Sequence, residues 1–243
     1  MPDRPQFGPA GRIGLVVPAN NSVIEPEFWS VLPRDVALYA TRILAQGDLT
    51  AQAVRYMEGT MDRAVAELAA TGVDVILLAD MVTSFIMQPG WNAQRVAEVS
   101  ARTGAACASA WSAMQDALRA LNVRRIALGT PYPAAIHALA PAFFAANGYA
   151  LTGHATLDIL AMREVPEVRA PRLAEFVRGL NREGAEAVVL LATDLPSFDS
   201  IAALEAELGI PVLTSNSAIL WRALRLAGNA TPIPSLGRLL ATP

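Results

Sequence analysis

Apolar residues along this chain fall into two alternating patterns. Short runs dominated by Val, Ile, Leu and Ala occur at Ile13–Val17, Val73–Ala79, Arg124–Leu128, Ala187–Leu191 and Pro211–Leu213. Between them lie stretches in which apolar positions recur every three or four residues. The runs predict strands buried on both faces and the stretches predict helices packed over them, the pattern of parallel α/β sheets. Val36–Ile43 reads as a further strand, leading into a polar stretch near Gln46–Thr50. Ala53, Val54, Met57, Met61 and Val65 share one face of a single predicted helix, which Gly72 stops. Ser112–Leu121 and Arg172–Arg182 also read as helices.

The chain echoes itself. Gly72–Asp80 (GVDVILLAD) resembles Gly184–Ala192 (GAEAVVLLA), and Arg12–Pro18 (RIGLVVP) resembles Arg125–Pro131 (RIALGTP). Two matches in the same order predict duplicated half-domains. Ligands of open parallel sheets sit beyond the carboxyl ends of the strands. The segments to search are therefore Pro18–Ser22, Asp80–Ser84, Thr130–Tyr132 and Ala192–Ser197.

Composition narrows the chemistry. Of 243 residues, 53% are hydrophobic and 17% charged, which suits helices packed tightly over a buried sheet. The net charge of −3 offers no electrostatic footprint for nucleic acid. Every basic residue is Arg, so lysine Schiff-base chemistry is excluded. Cys107 is the one cysteine, which leaves no internal disulfide and no cysteine metal cluster. Met1–Arg12 has no apolar run, so a signal peptide is not expected, and no stretch is long and apolar enough for a membrane span. A cytoplasmic protein is the expectation. His137 falls in a helical pattern and His154 in a polar turn after a glycine, neither with a ligand partner at metal spacing. No metal site is expected, and the missing glycine-rich phosphate loop disfavours a nucleotide-dependent enzyme.

Several polar residues stand where ligands are expected. Asn20, Asn21 and Ser22 either hold an anion or cap the next helix, and Glu25 and Glu27 read as first-turn helix residues. Asp80 ends an apolar run, where desolvation raises a carboxyl pKa; it is either a general base or a structural aspartate tied to its loop, with Thr83 and Ser84 beside it. Tyr132, fixed between two prolines, either bonds a ligand oxygen or stacks over its loop. Thr193 and Asp194 stand opposite Asp80 in the duplicated scheme. Asp199 reads as a helix start, Thr214–Ser217 as a cap or further ligand hydroxyls, and Cys107 as an inert packing residue in a small-residue strand. Phe28, Trp29 and Phe143 are apolar surface for an interface or the core.

These residues resemble the aspartate/glutamate racemase superfamily, in particular its maleate isomerase and arylmalonate decarboxylase branch. The resemblance covers nearly the whole chain. It is carried by Ile13–Pro18 with Asn21 and Glu25-Pro-Glu27, by Ala117–Leu128, by Phe198–Ile201, by Leu208–Leu213, and by Trp221–Gly228 with Gly237-Arg-Leu239. It implies an α/β fold of two Rossmann-like lobes with parallel sheets related by a pseudo-twofold axis and the active site in the cleft between them. The lobes would comprise residues 1–111 plus 218–243, and residues 112–217. It also implies no cofactor, a small carboxylic acid as substrate, and a homodimer or monomer.

Most members use a cysteine thiol from each lobe. Matching the flanking residues places those positions at Asp80 and Ala192, so both thiols are missing here, and a shift of two residues would put Val82 in place of Asp80 without restoring one. Tyr132 matches the pocket tyrosine, Asn21 the isomerase's carboxylate-binding asparagine, and Thr193 the residue after the second cysteine. The expected site is Asp80 as acid/base, with Asn21, Val82, Thr83, Tyr132, Ala192, Thr193, Asp194 and Ser215 contacting substrate. The expected function is that of a cofactor-free isomerase, racemase or decarboxylase. The alternatives are a hydrolase or hydratase in which Asp80 activates water, and a non-catalytic small-acid binder.

Overall fold

Eight parallel strands build two sheets with the same strand order, as the internal echo predicts. The computed structural model describes residues 5–241; the start of the Met1–Arg12 segment and the last two residues of the 218–243 segment lie outside the described residues. The first sheet contains β1 (Gly11–Pro18), β2 (Val36–Ile43), β3 (Val75–Leu78) and β4 (Ala106–Ser109) in the order β2-β1-β3-β4. The second contains β5 (Arg125–Thr130), β6 (Ala150–Thr156), β7 (Ala187–Leu190) and β8 (Val212–Thr214) in the order β6-β5-β7-β8. The echoed segments occupy equivalent places: Ile13 pairs with Val75, and Ile126 with Ala187. The central strands β3 and β7 are buried along their whole length, which is why they read as unbroken apolar runs.

Helices α1 (Ile24–Val31), α2 (Ala51–Glu58), α3 (Met61–Thr71), α4 (Thr83–Ile86) and α5 (Trp91–Thr103) belong to the first half. After α6 (Ala110–Ala120), the second half adds α7 (Ala134–His137), α8 (Ala140–Ala146), α9 (Ala170–Gly179) and α10 (Phe198–Leu208). Helix α11 (Ser215–Leu226) and the short α12 (Arg238–Ala241) close the chain. The halves meet where α6 packs against α11, which touches β3 and β4 of one sheet and β8 of the other. Both helices start from matching caps. Ser109 Oγ accepts from the Ser112 amide and Thr214 Oγ1 from the Ser217 amide, each at 3.1 Å, and each partner serine returns a bond to the cap's own N–H. Residues Thr214–Ser217 thus form a helix cap. Among the described residues no helix is long and apolar enough to cross a membrane.

Three local expectations are corrected. The stripe from Ala53 to Val65 lies on two helices, not one, because Gly59 ends α2 and Thr60 leaves helical geometry before α3. Val54, Met57, Met61 and Val65 are all buried nonetheless, so the apolar face survives the break. The helix expected at Arg172–Arg182 runs from Ala170 to Gly179, and Leu180 turns extended while the Arg182 guanidinium collects the carbonyls of Val177, Arg178 and Leu180. His154 lies not in a turn but on β6, a half-exposed edge strand whose mixed composition hides it from an apolar-run search.

Glycine is required within β6. A Cβ on Gly153 would stand 2.3 Å from the Asn181 carbonyl oxygen, a backbone atom that cannot swing away. Replacing Gly153 with Ala is expected to destabilise the protein by about 1–3 kcal/mol, as overpacking against a rigid neighbour does. Urea unfolding followed by circular dichroism measures it.

Candidate active site between the lobes

Four strand ends converge on one cavity. From the first half come Pro18 at the end of β1, Asn20 after it, and Asp80 and Val82 after β3; from the second come Tyr132 after β5, and Thr193 and Asp194 after β7. The remaining wall is apolar, including Leu49, Val54, Met57, Ile159, Met162 and Val165.

The loops are aimed by backbone bonds that extend each sheet. The Ala79 amide bonds the Val16 carbonyl at 2.9 Å, continuing the β3–β1 ladder one residue before Asp80. The Leu191 amide does the same with Gly129 at 3.0 Å, one residue before Ala192. Ala192 then takes φ +93°, a conformation that costs an L-residue energy and recurs at functional turns. The reversal brings Thr193 and Asp194 to the cavity.

A polar seam crosses the lobe boundary beside the cavity. The buried Thr193 hydroxyl donates to the Ala79 carbonyl at 3.0 Å and accepts from Asn21 Nδ2 at 3.1 Å. Asn21 Oδ1 in turn accepts from the amides of Val23 and Ile24, leading into α1. Within the Asn20–Ser22 segment, Asn21 holds the turn and the seam, while Asn20 lines the cavity and donates to Asp194 Oδ2 at 3.2 Å.

Glu27, read from sequence as a first-turn residue of α1, has a second role that sequence reasoning missed. Its Oε1 accepts from the amides of Ser197 at 2.5 Å and Phe198 at 2.9 Å, which open α10 in the other half. Its Oε2 accepts from Asn216 Nδ2 at 2.7 Å, and the same amide group bonds the Thr193 carbonyl at 3.0 Å. A carboxylate at a helix N-terminus satisfies amides that have no intrahelical partner. Burial raises the Glu27 pKa, and these hydrogen bonds oppose the rise. Its neighbour Phe28 is buried and stacks on Phe198, with centroids 6.2 Å apart. Glu25 pairs with Arg42. The Glu-Pro-Glu spacing was the available signal for Glu27; the partner, 170 residues away, was not.

The titratable groups at the cavity are unusual. Asp80 Oδ2 accepts from the Thr83 amide at 3.0 Å and from its hydroxyl, yet burial raises the Asp80 pKa against these bonds. Burial, with the Asp80 charge adding to it, pushes Asp194 to about 7, while the Asn20 hydrogen bond works the other way. The buried Tyr132 hydroxyl has no hydrogen-bond partner, and burial followed by the two aspartates drives its pKa well above the usual phenol value. Phe85 meets the Tyr132 ring edge-on at 6.0 Å.

Of the residues expected to contact substrate, Val82, Tyr132, Thr193 and Asp194 line the cavity with Asp80. Asn21, Thr83, Ala192 and Ser215 lie outside its wall: Asn21 and Thr83 are committed to the bonds above, and Ser215 opens α11 fully buried and without a partner. Cys107 sits in β4, its thiol pushed up to about 12 by burial. His137 and His154 make an internal chain in which His137 Nδ1 is 2.8 Å from Thr130 Oγ1 and Nε2 is 2.9 Å from His154 Nδ1. No cluster of three or more His, Cys, Asp or Glu arranged for a metal occurs among the described residues. Trp29 is exposed, whereas Phe143 is half-buried against Phe85 and Trp111.

Two four-stranded parallel sheets, with a cavity where their strand ends face each other, define a two-lobed α/β fold with an interlobe site. The chain belongs to the arylmalonate decarboxylase family, whose model matches residues 13–240. It is 30% identical over 239 residues to maleate isomerase of Nocardia farcinica, covering 94% of this chain and 95% of that one. It is also 30% identical over 231 residues to arylmalonate decarboxylase of Bordetella bronchiseptica, covering 93% and 95%. A solved cysteine-to-serine mutant of the Nocardia maleate cis-trans isomerase, with a covalently bound succinylcysteine intermediate, superposes with TM-score 0.90 at 29% identity over 95% of this chain and 98% of that one. A liganded arylmalonate decarboxylase mutant gives TM-score 0.86 at 29% identity, again over 95% and 98%.

Two outcomes follow for stability. Glu27→Ala leaves two α10 amides and Asn216 without their charged acceptor, and is expected to cost about 2–4 kcal/mol in denaturant unfolding. For Asp194, a folded pKa near 7 stands above the unfolded value, so the folded state binds the extra proton between about pH 4 and pH 7. Its stabilising contribution is complete below that window and lost as pH rises through it. Asp194→Asn should therefore gain stability relative to the native protein as pH rises from 5 to 8, measured by unfolding at both values.

Proposed function

We propose that this chain is a cofactor-free enzyme that transfers a proton at a carbon next to the carboxyl group of a small acid, as an isomerase or decarboxylase, with Asp80 as the acid–base group. The observation that carries this reading is a desolvated carboxyl at the end of an apolar strand that also forms part of the cavity wall. Burial favours its protonated form, so the carboxyl can both hold a proton and become a stronger base than a solvated aspartate. Thiol chemistry of the kind seen as succinylcysteine in the Nocardia enzyme has no counterpart, because Cys107 lies in β4 and does not line the cavity.

The Tyr132 hydroxyl, buried and without a partner, is the donor available to a ligand oxygen. Val82 and the apolar wall exclude water around the reacting carbon, which strengthens each polar contact inside. Thr193 and Asn21 act at one remove, holding the strand ends so that Asp80 and Asp194 face one cavity.

The test is a panel of aryl- and alkyl-substituted mono- and dicarboxylic acids incubated in deuterated buffer, with solvent deuterium at the α-carbon and product followed by NMR. For the acid that turns over, Asp80→Asn is expected to lower kcat by about 100-fold or more, the scale of a lost general base. Undiminished turnover in that variant removes Asp80 from the chemistry. Binding without turnover across the panel assigns the cleft to a small-acid binder.

A further inference from the structure

Among the described residues, two carboxyl groups and no cationic side chain line the cavity. Asp80 enters from the first lobe and Asp194 from the second, and the other polar groups of the wall, Asn20, Tyr132 and Thr193, are uncharged. Among the described residues no Arg or His lines it, and the sequence contains no Lys. Glu58 of α2, which feels the Asp80 charge, is itself acidic and pushed up to about 7 by burial despite Arg95. Arg95 of α5 is engaged elsewhere: its Nε lies 3.1 Å from Glu58, and its other nitrogens reach Asp62 and Glu98. Facing Asp194 are Asn20, Asp80 and Tyr132. Among the described residues, no guanidinium lines the cavity.

Electrostatics then restricts what can enter. Two carboxylates in one low-dielectric site cannot both remain ionised cheaply, so the pair tends to retain a proton. A dicarboxylate dianion would add two more negative charges to the same space, with only dipoles to oppose them. A single carboxylate adds one, and a retained proton can offset it. The apolar wall provides the surface for the rest of such a molecule. Two buried polar atoms in the cavity wall, Tyr132 Oη and Asn20 Oδ1, lack partners, which gives a ligand carboxyl one donor and one acceptor.

We propose that the cavity selects a monocarboxylic acid with an apolar body, that this ligand binds together with one proton shared with the Asp80–Asp194 pair, and that dicarboxylate dianions are excluded. This rests on the reading of the cleft as the small-acid site and deepens it. It separates the chain from relatives named for maleate and arylmalonate, which carry two carboxylates. It also favours proton transfer at the α-carbon over loss of carbon dioxide from a malonate.

Calorimetric titration of the full chain between pH 6 and 9 tests it, with phenylacetate and phenylmalonate as probes that differ by one carboxylate, and maleate beside them. Phenylacetate is expected to bind with proton uptake, its affinity falling about tenfold per pH unit above pH 7. At pH 8 phenylmalonate should bind about tenfold or more weakly than phenylacetate, and maleate likewise. In Asp194→Asn the pH slope should flatten and phenylacetate should bind more tightly at pH 8 than to the native protein. A dianion that binds as tightly as phenylacetate at pH 8, or a native phenylacetate affinity that is flat with pH, overturns the proposal while leaving the cleft as an acid site. A cavity-filling Val82→Trp variant, checked for folding by circular dichroism, addresses the cleft itself. Phenylacetate binding that survives that change, or silence of every probe in both native protein and Asp194→Asn, refutes the cleft as the acid site and this selectivity with it.

Discussion

The carboxylate of Glu27 joins the two halves at the point on which the site geometry depends. It leaves α1 in the first lobe and takes the N-terminal amides of α10 in the second, while Asn216 relays the same carboxylate to the backbone of Thr193. Thr193 then binds back to Ala79, the residue before Asp80. One continuous path of hydrogen bonds therefore runs from a helix start in one lobe to the end of β3 beside Asp80 in the same lobe, by way of the other. Rigid sheets alone would leave the separation of Asp80 and Asp194 free to vary with any movement of the lobes. The seam removes that freedom with short, directional bonds whose groups are largely withdrawn from water, where such bonds are strongest.

The same enclosure that strengthens the seam makes the carboxyl pair unusual. In water Asp80 and Asp194 would both be ionised at neutral pH. Behind an apolar wall and without a guanidinium, burial raises both, and Asp194 reaches about 7. Desolvation rather than any single partner does this, since the hydrogen bonds from Thr83 and Asn20 work in the opposite direction. The solved Nocardia isomerase mutant carries a succinylcysteine, whereas the cavity here is lined by two carboxyl groups shifted by burial. The strained turn at Ala192 keeps the backbone path although its side chain can transfer no proton.

Much of the architecture was legible because it arises from local periodicity. Buried strands such as β3 and β7 are apolar throughout, and their repetition in the same order exposed the duplication before any contact was known. The edge strand β6 was not legible: it carries His154 and Gly153 in a mixed, half-exposed sequence, with Gly153 passing close to Asn181. The helix break at Gly59 was masked because the buried face continues across it.

At the site, sequence alone determined which strand ends would meet and which residue types they would bring, including Asp80, Tyr132, Thr193 and Asp194. It also determined what chemistry was missing, since a chain with one cysteine cannot supply a thiol pair. Only the tertiary structure decided how those residues divide their work. Asn21 and Thr193 became the seam, Asn20 turned to Asp194, Ser215 was buried at the start of α11, and Glu27 acquired partners far along the chain. The physical reason is that a polar group's role depends on which partner satisfies it and how much water reaches it, and both are properties of distant segments brought together rather than of neighbours in sequence.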